Sequence, residues 1–464
     1  MAPQDYLQAR TATANGNNKD NEHWCTRVDG RPYFPSLKMD PTSDDSIKQV
    51  TYQVVRASLG EEFNNKNGNN ATQQQLQLLQ VTCVKGGNTN QLFRVSNLQQ
   101  ALASPNSVHH HHRLDELLED SVLIRIFGAA GMIDRDVETS TYAALASSGL
   151  IPAYHGRFQN GRLEAWLEGM RPLTDDELLS PSISKAIANR MAQLHATFVV
   201  PPHLKSHHDM TKPACLWTQL NDWMSQALRH HASQSFVNAQ DYDRCRALVP
   251  TLVTDIPQQL AWLQDTVIPA ITTDARVDMA FCHNDVLAAN IMLSTTSTAD
   301  TNHDDNNDNG NTTNDDDNTL APIIHIQLID FEYGGINYRA FDIANHFNEF
   351  AGGFDDGIPK YDKFPSRDFQ RTFLQHYARA YRDYKQQRTS TTTTTPDNTD
   401  NGIMSTDMDH FHHQVDAFVL VDHLYWGLWG VVQAATDGCH TFDYLLYGSK
   451  RLEEYYHCLK SFQA

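Results

Sequence analysis

The sequence predicts an α+β protein of two lobes, a small β-rich N-terminal lobe followed by a larger, mostly helical C-terminal lobe. Three observations predict it. Between residues 77 and 167 short β-prone runs recur between Gly- and Asn-containing turns. After Pro172 the apolar residues change to helical spacing. The 464 residues suffice for two or more separate cores.

Taken in order, residues 1–40 are expected to be a disordered N-terminus, residues 41–170 the first lobe and residues 171–464 the second. Gln77 to Val84 and Asn90 to Ser96 read as a hairpin whose turn contains Gly86 and Gly87, and Ser121 to Phe127 as a third strand. Asp136 to Ser148 carries Tyr142, Leu145 and Ala146 on one helical face, with Gly149 as the stop. Tyr154 to Phe158 and Leu163 to Leu167, around Asn160-Gly161, form a second hairpin. Ile187, Met191, Leu194 and Phe198 fall at helical intervals within Ile183 to Phe198. Phe281 to Leu293 and Ile323 to Phe331 read as strand and loop pieces, and later helices are expected at Asp368 to Gln387, Asp416 to Ala435 and Tyr444 to Leu459.

Polar, low-complexity segments interrupt this order at Asn64 to Gln75 and near residues 294–319 and 389–402, where disordered inserts are expected. Lys plus Arg number 36 against 56 Asp plus Glu, a net charge of −20, which argues against broad nucleic-acid binding. The Asp-rich insert lacks the Gly and terminal Glu of a calcium loop, and the His109 to His112 run has no second ligand cluster, so neither is taken as a metal site. Seven scattered cysteines without a C-x-x-C pair indicate neither a disulfide framework nor zinc. The apolar stretch from Val415 to Ala435 is broken by Asp416, Asp422 and His423, so no stable membrane insertion is expected and the chain is read as cytoplasmic.

The most specific chemistry lies in Phe281-Cys-His-Asn-Asp-Val-Leu-Ala-Ala-Asn-Ile-Met-Leu293 and Ile326-Gln-Leu-Ile-Asp-Phe-Glu332. Asp285, Asn290 and Asp330 are the set that phosphoryl transfer uses: one carboxylate orients a hydroxyl while Asn and a second Asp hold magnesium. Without further context, Asp285 and Asn290 could instead cap a turn.

With these motifs the chain resembles the choline and ethanolamine kinase family, relatives of the protein kinases, from about Leu79 to about Leu459. The resemblance rests on Gly86 to Leu92, Leu123 to Gly128, His283-Asn-Asp285 with Asn290, Asp330-Phe-Glu-Tyr333, Asn337 to Phe347 and Trp426-Gly-Leu-Trp429, in that order. It implies a protein-kinase-like two-lobed fold with ATP and a magnesium ion between the lobes. Gly86, Gly87, Asn88, Thr89 and Asn90 then cover the phosphates, Arg125 holds them, and Glu138 is placed to pair with Arg125. Glu164 to Arg171 forms the adenine hinge, and Asn290 and Asp330 hold the metal with help from Glu332. Tyr333, Tyr338, Glu349, Trp426, Trp429, Phe442 and Tyr447 make an aromatic and acidic cage suited to a small cation. As bare sequence, a Trp pair three residues apart on an apolar helix is more often core. His346 is expected to brace a loop rather than transfer protons, and Asp342 to steady the catalytic loop.

Within the family, Asn345 to Gly352, Asp285-Val-Leu287 and Ile133 to Asp136 resemble the ethanolamine kinase branch, whereas Gly161 to Glu164 and Leu173 to Leu178 look more like choline kinase. The resemblance therefore implies an ATP-dependent ethanolamine kinase that forms phosphoethanolamine, the first step of the cytidine-nucleotide route to phosphatidylethanolamine. The alternatives are a choline or dual kinase, and a pseudokinase that only binds nucleotide. The resemblance also permits a homodimer.

Overall fold

The computed structural model describes residues 26–59, 72–85, 90–102, 120–128, 134–272, 278–296, 323–353, 355–391, 408–440 and 442–463. The chain divides into two compact units: residues through Gly169 with Pro201–Leu204, and Met170–Val200 with the residues from Lys205 onward.

The first unit is built on seven strands: β1 (Thr26–Val28), β2 (Arg31–Phe34), β3 (Gln80–Val84), β4 (Asn90–Ser96), β5 (Ser121–Phe127), β6 (Tyr154–Phe158) and β7 (Gly161–Ala165). Their order across the sheet is β1-β2-β6-β7-β5-β4-β3. Among the described residues of this sheet, only β2 and β6 pair in parallel. Because successive strand residues point to opposite faces, one face carries Phe93, Val95, Val122, Ile124, Ile126 and Leu163. They share a core with Ile47, Val50 and Val54 of helix α1 (Asp44–Ser58). That helix starts at Ser43, whose side chain accepts from Ser46 N–H, and its acidic first turn and Arg56 in the last turn suit the helix dipole. The other face carries Arg125 and its cross-strand neighbours Leu92 and Arg162. Helix α2 (Arg135–Ser147) begins at Asp134, whose carboxylate caps Asp136 and Val137 N–H.

Part of the segment expected to be disordered is thus ordered. Phe34, Leu37 and Met39 are buried in the sheet core, and the Asn160 side chain bonds both Met39 N–H and Met39 C=O at 2.9 Å. Tertiary pairing, which local composition does not display, outweighs the polar character of the N-terminal region. The second hairpin's return strand, β7, begins two residues earlier than expected. A Cβ on Gly161 would lie 2.3 Å from the Arg125 carbonyl oxygen, so only glycine admits the approach of β7 to β5. Residues 72–75, expected in a polar insert, open a short helix at Gln73–Leu78 through a Thr72/Gln75 capping box. Most of the other expected inserts and the four-His run lie outside the described residues.

The second unit is mostly helical, with α3 (Pro181–Thr197), α4 (Cys215–Ser233), α5 (Arg339–Asn348), α6 (Arg367–Thr391), α7 (Met408–Thr436) and α8 (Tyr444–Phe462). Its strands are β8 (Arg171–Pro172), β9 (Met279–Cys282), β10 (Ile291–Thr296), β11 (Ile323–Leu328) and β12 (Gly335–Tyr338). They form a three-stranded sheet β11-β10-β8 and a β9/β12 ribbon. Helix α7 is long and apolar enough to cross a membrane, yet 94% of its most apolar stretch is buried within the protein. It is the core helix of this unit, flanked by α4, α5 and α8.

Candidate active site

The loop after β9 carries His283-Asn284-Asp285, and its backbone is gripped from the start of α5. Asp342, fully buried, accepts from His283 N–H at 3.0 Å and Asn284 N–H at 2.6 Å. Its Oδ2 also accepts from His195 Nε2 at 2.9 Å, while His195 Nδ1 lies 2.7 Å from the Tyr377 hydroxyl. Burial would raise the Asp342 carboxyl, but the hydrogen bonds from His195 and the His283 backbone hold it below its ordinary value. Burial pushes His195 down, so the ring is neutral and takes the Tyr377 proton at Nδ1. His195, Asp342 and Cys282 lie close enough together to resemble a metal site. The hydrogen bonds already met by Asp342 make this cluster a brace instead.

Further braces follow. Asn345 Oδ1 accepts from Val286 N–H at 2.6 Å, and His346 donates from Nδ1 to the Val286 carbonyl at 3.0 Å. Burial drives His346 down to about 4, so it remains neutral near pH 7. Asn284 donates to Tyr333 C=O at 2.8 Å and accepts from Asn337 at 2.7 Å. Asn284 and Asp330 both adopt left-handed backbone, with φ of 68° and 66°. This conformation is rare outside glycine and tolerated best by Asn and Asp.

Asp285 is bound by Asn290, whose amide nitrogen donates to both the backbone carbonyl and Oδ2 of Asp285. The other carboxylate oxygen, Oδ1, is buried without a protein partner. Burial, then Glu349, Asp330 and Glu332, push the Asp285 carboxyl far above the usual carboxylate range. A carboxyl raised by carboxylates around it is the chemistry a divalent cation relieves. With its nitrogen committed to Asp285, Asn290 has its amide oxygen left to donate, and with the carboxylates of Asp330 and Glu332 the donor set is all oxygen, the chemistry that fits magnesium.

Five ring residues named from the sequence come together in the same unit. Trp429 Nε1 donates to the Tyr333 hydroxyl at 3.1 Å. Ring centres are 5.5 Å apart for Tyr333 and Trp426, 5.4 Å for Trp426 and Trp429, 6.2 Å for Trp429 and Tyr447, and 5.7 Å for Phe442 and Tyr447. Tyr338 instead packs on Phe418, its ring centre 5.0 Å away. Helices α7 and α8 meet through glycines: a Cβ on Gly430 would lie 2.6 Å from the Tyr444 carbonyl oxygen, and one on Gly448 2.8 Å from that of Gly427. Glu349, at the end of α5, is buried, with Oε1 accepting from Arg451 Nη1 at 3.2 Å. Arg451 also pairs with Asp422, which accepts from Asn345 at 3.1 Å and Asn348 at 2.7 Å.

In the first unit, Gly86 to Thr89 lie outside the described residues, while Asn90 begins β4 and accepts from Gly128 N–H at 3.3 Å. Arg125 is buried and bonded to Glu164 at 3.0 Å. Glu138 feels the charge of Arg125, and a relay also joins them: Glu164 takes Arg162 at 2.7 Å, and Arg162 reaches Glu138 at 2.7 Å. Arg135 completes it, 2.9 Å from Glu138. Burial would raise Glu138, but Arg162 and then Arg135 hold it down at about 2. Glu164, expected at the edge of the hinge, is therefore part of this charge network.

Sequence reasoning missed Arg162, Asp422 and Arg451. Asp422 carried a signal: a carboxylate inside an apolar helix requires a buried partner. The matching arginine lies one helical turn after Tyr447.

Residues 81–456 match the family model described as Choline/ethanolamine kinase. The chain belongs to the choline and ethanolamine kinase family. Among curated relatives, ethanolamine kinase 1 of Mus musculus is 26% identical over 343 residues, 74% of this chain and 78% of the relative. Probable choline kinase 2 of Arabidopsis thaliana is 28% identical over 383 residues, 82% of this chain and 85% of the relative. The structure of a choline kinase from Cryptosporidium parvum superposes with a TM-score of 0.57 at 20% identity, covering 89% of this chain and 96% of the other. The fold is thus the protein-kinase-like fold of this family, with the sheet in the first unit and helices dominating the second.

Proposed function

We propose that the protein is an ATP- and magnesium-dependent ethanolamine kinase that forms phosphoethanolamine and so opens the cytidine-nucleotide route to phosphatidylethanolamine. The observation that carries this reading is the buried, unpartnered Asp285 Oδ1, on a carboxyl that feels the charge of Glu349 beside the aromatic cluster. Such an oxygen suits the hydroxyl of a small amino alcohol whose ammonium group lies among the rings.

In this reading Asn290 keeps Asp285 turned so that Oδ1 accepts the hydroxyl proton, while the Asp342 brace fixes the loop backbone. Arg125 holds nucleotide phosphate, kept in place by Glu164. Asn290, Asp330 and Glu332 hold magnesium, which neutralises phosphate charge when bound. Because phosphoryl transfer is mostly positioning and charge stabilisation, Asp285 need accept its proton only late.

Ethanolamine is favoured over choline by the Asn345 to Gly352 run, whose Asn348 bonds the Asp422 carboxylate that also grips Arg451. A choline or dual kinase is the second reading, supported by the Gly161 to Glu164 segment and the Arabidopsis relative. The deciding experiment is magnesium-dependent ADP release from ATP with each amine at equal low concentration, with Asp285→Asn as control. Preference for ethanolamine supports the proposal; preference for choline selects the second reading, and no turnover with either removes both.

A further inference from the structure

We propose that Arg451, itself clamped by Asp422, is a positioning residue for the substrate's cationic head: it takes one oxygen of Glu349 and leaves the other, Oε2, as the acceptor that meets the ammonium. The inference rests on the proposed function, in which Glu349 serves the amine, and adds to it how that carboxylate is oriented and charged.

Three observations converge. Glu349 is 2% exposed, with Oε1 on Arg451 and Oε2 buried without a hydrogen-bond partner. Arg451 is fully buried, and its second terminal nitrogen, Nη2, is committed to Asp422, which two asparagines of α5 hold in turn. Two carboxylates against one guanidinium leave a single surplus negative charge in a site walled by aromatic rings. A buried surplus charge is costly until a counter-charge arrives, and one monocation completes the balance.

The groups that face Glu349 set its behaviour before the amine binds. Arg451 and Tyr447 come from α8, Asp422 from α7, Tyr361 from the 361–363 turn, Asp175 from the 175–179 turn and Asp285 from the catalytic loop, while His423 of α7 faces Arg451. Burial, with Asp422 adding and Arg451 opposing, brings the Glu349 carboxyl up to about 7. Near neutrality a proton therefore occupies this carboxylate in about half of the molecules, and the arriving cation displaces it.

The test uses the full chain. Asp422→Asn keeps the side chain's shape but leaves Arg451 and Glu349 to neutralise each other. KM for the amine should then rise about tenfold or more while KM for ATP stays within about twofold. In the wild type, KM for ethanolamine or choline, both cationic across the range, should fall about tenfold from pH 6 to pH 8, and Glu349→Gln should abolish that slope. A lowered Tm with amine and ATP KM unchanged would make the triad purely structural and overturn the proposal; so would a flat wild-type pH profile, which decides the matter even if Asp422→Asn fails to fold. Quenching of Trp426 and Trp429 fluorescence reads amine binding without turnover, and its pH dependence is judged in the same way. Binding without phosphorylation defeats the kinase reading alone, whereas absence of amine binding overturns both.

Discussion

Asn290 holds Asp285 twice, donating its amide to the backbone carbonyl and to Oδ2 at 3.0 Å each, so that residues five apart in sequence turn as one unit. The rest of the loop is fixed by α5, which leaves Asp285 little freedom except to present its second oxygen.

Replacing Asp285 by Asn should reduce turnover by about 10²- to 10⁴-fold while sparing nucleotide affinity, because it removes the proposed proton acceptor but little volume. Steady-state kinetics with a separate ATP-binding titration check this; retention of a large fraction of the rate refutes the role.

Asp342→Ala would strip acceptors from two loop N–H groups and from His195. About 1–3 kcal/mol is expected for each donor left buried and unsatisfied. A lowered Tm should accompany loss of turnover, and an unchanged Tm would show that the loop holds itself.

Glu164→Ala would leave the guanidinium groups of Arg125 and Arg162 short of a buried counter-charge. A loss of about 3–5 kcal/mol is expected, measurable by denaturant unfolding. The conservative Glu164→Gln, if folded, should raise KM for ATP more than KM for the amine.

Trp429→Phe keeps a ring but removes the donor to the Tyr333 hydroxyl, and Phe is the weaker cation binder. KM for the amine should rise about 3- to 30-fold, consistent with one hydrogen bond and part of a cation–π contact. Equal increases for amine and ATP would argue against a place in the amine site.

The amine-free protein should lose stability as pH rises from about 4.5 to about 7 through Glu349. Its ordinary value is 4.5, whereas burial first and Asp422 next bring it to about 7 in the fold. Above 4.5 the unfolded chain ionises while the native state keeps its proton, so this contribution is complete below 4.5 and gone above 7. Thermal melts of wild type and Glu349→Gln should differ in slope across that window.

Much of the architecture was legible where a local rule operates. The β-prone run Ser121 to Phe127 has the same bounds as β5, and α3 follows from the spacing of Ile187, Met191 and Leu194. The closeness of Asp285 and Asn290 was also legible, because only five positions separate them. Features set by pairing between distant segments were not. The joining of β2 to β6 depends on residues more than a hundred positions apart, and Glu164 becomes a partner of Arg125 only once β7 lies beside β5. Asp422 was visible as an interruption in an apolar run, but its arginine becomes its partner only when α8 returns along α7.

The glycine contacts between α7 and α8 set a fixed gauge. With backbone resting on backbone at Gly430 and Gly448, the helices have no compressible layer with which to widen or narrow the space beside them. In the proposed amine site a bulkier head group cannot be admitted by letting these helices breathe; it has to be accommodated by trimming a ring such as Trp426 or Tyr447. Retuning the amine, by selection or by design, is thereby confined to a few side chains whose exchange leaves the scaffold's dimensions intact.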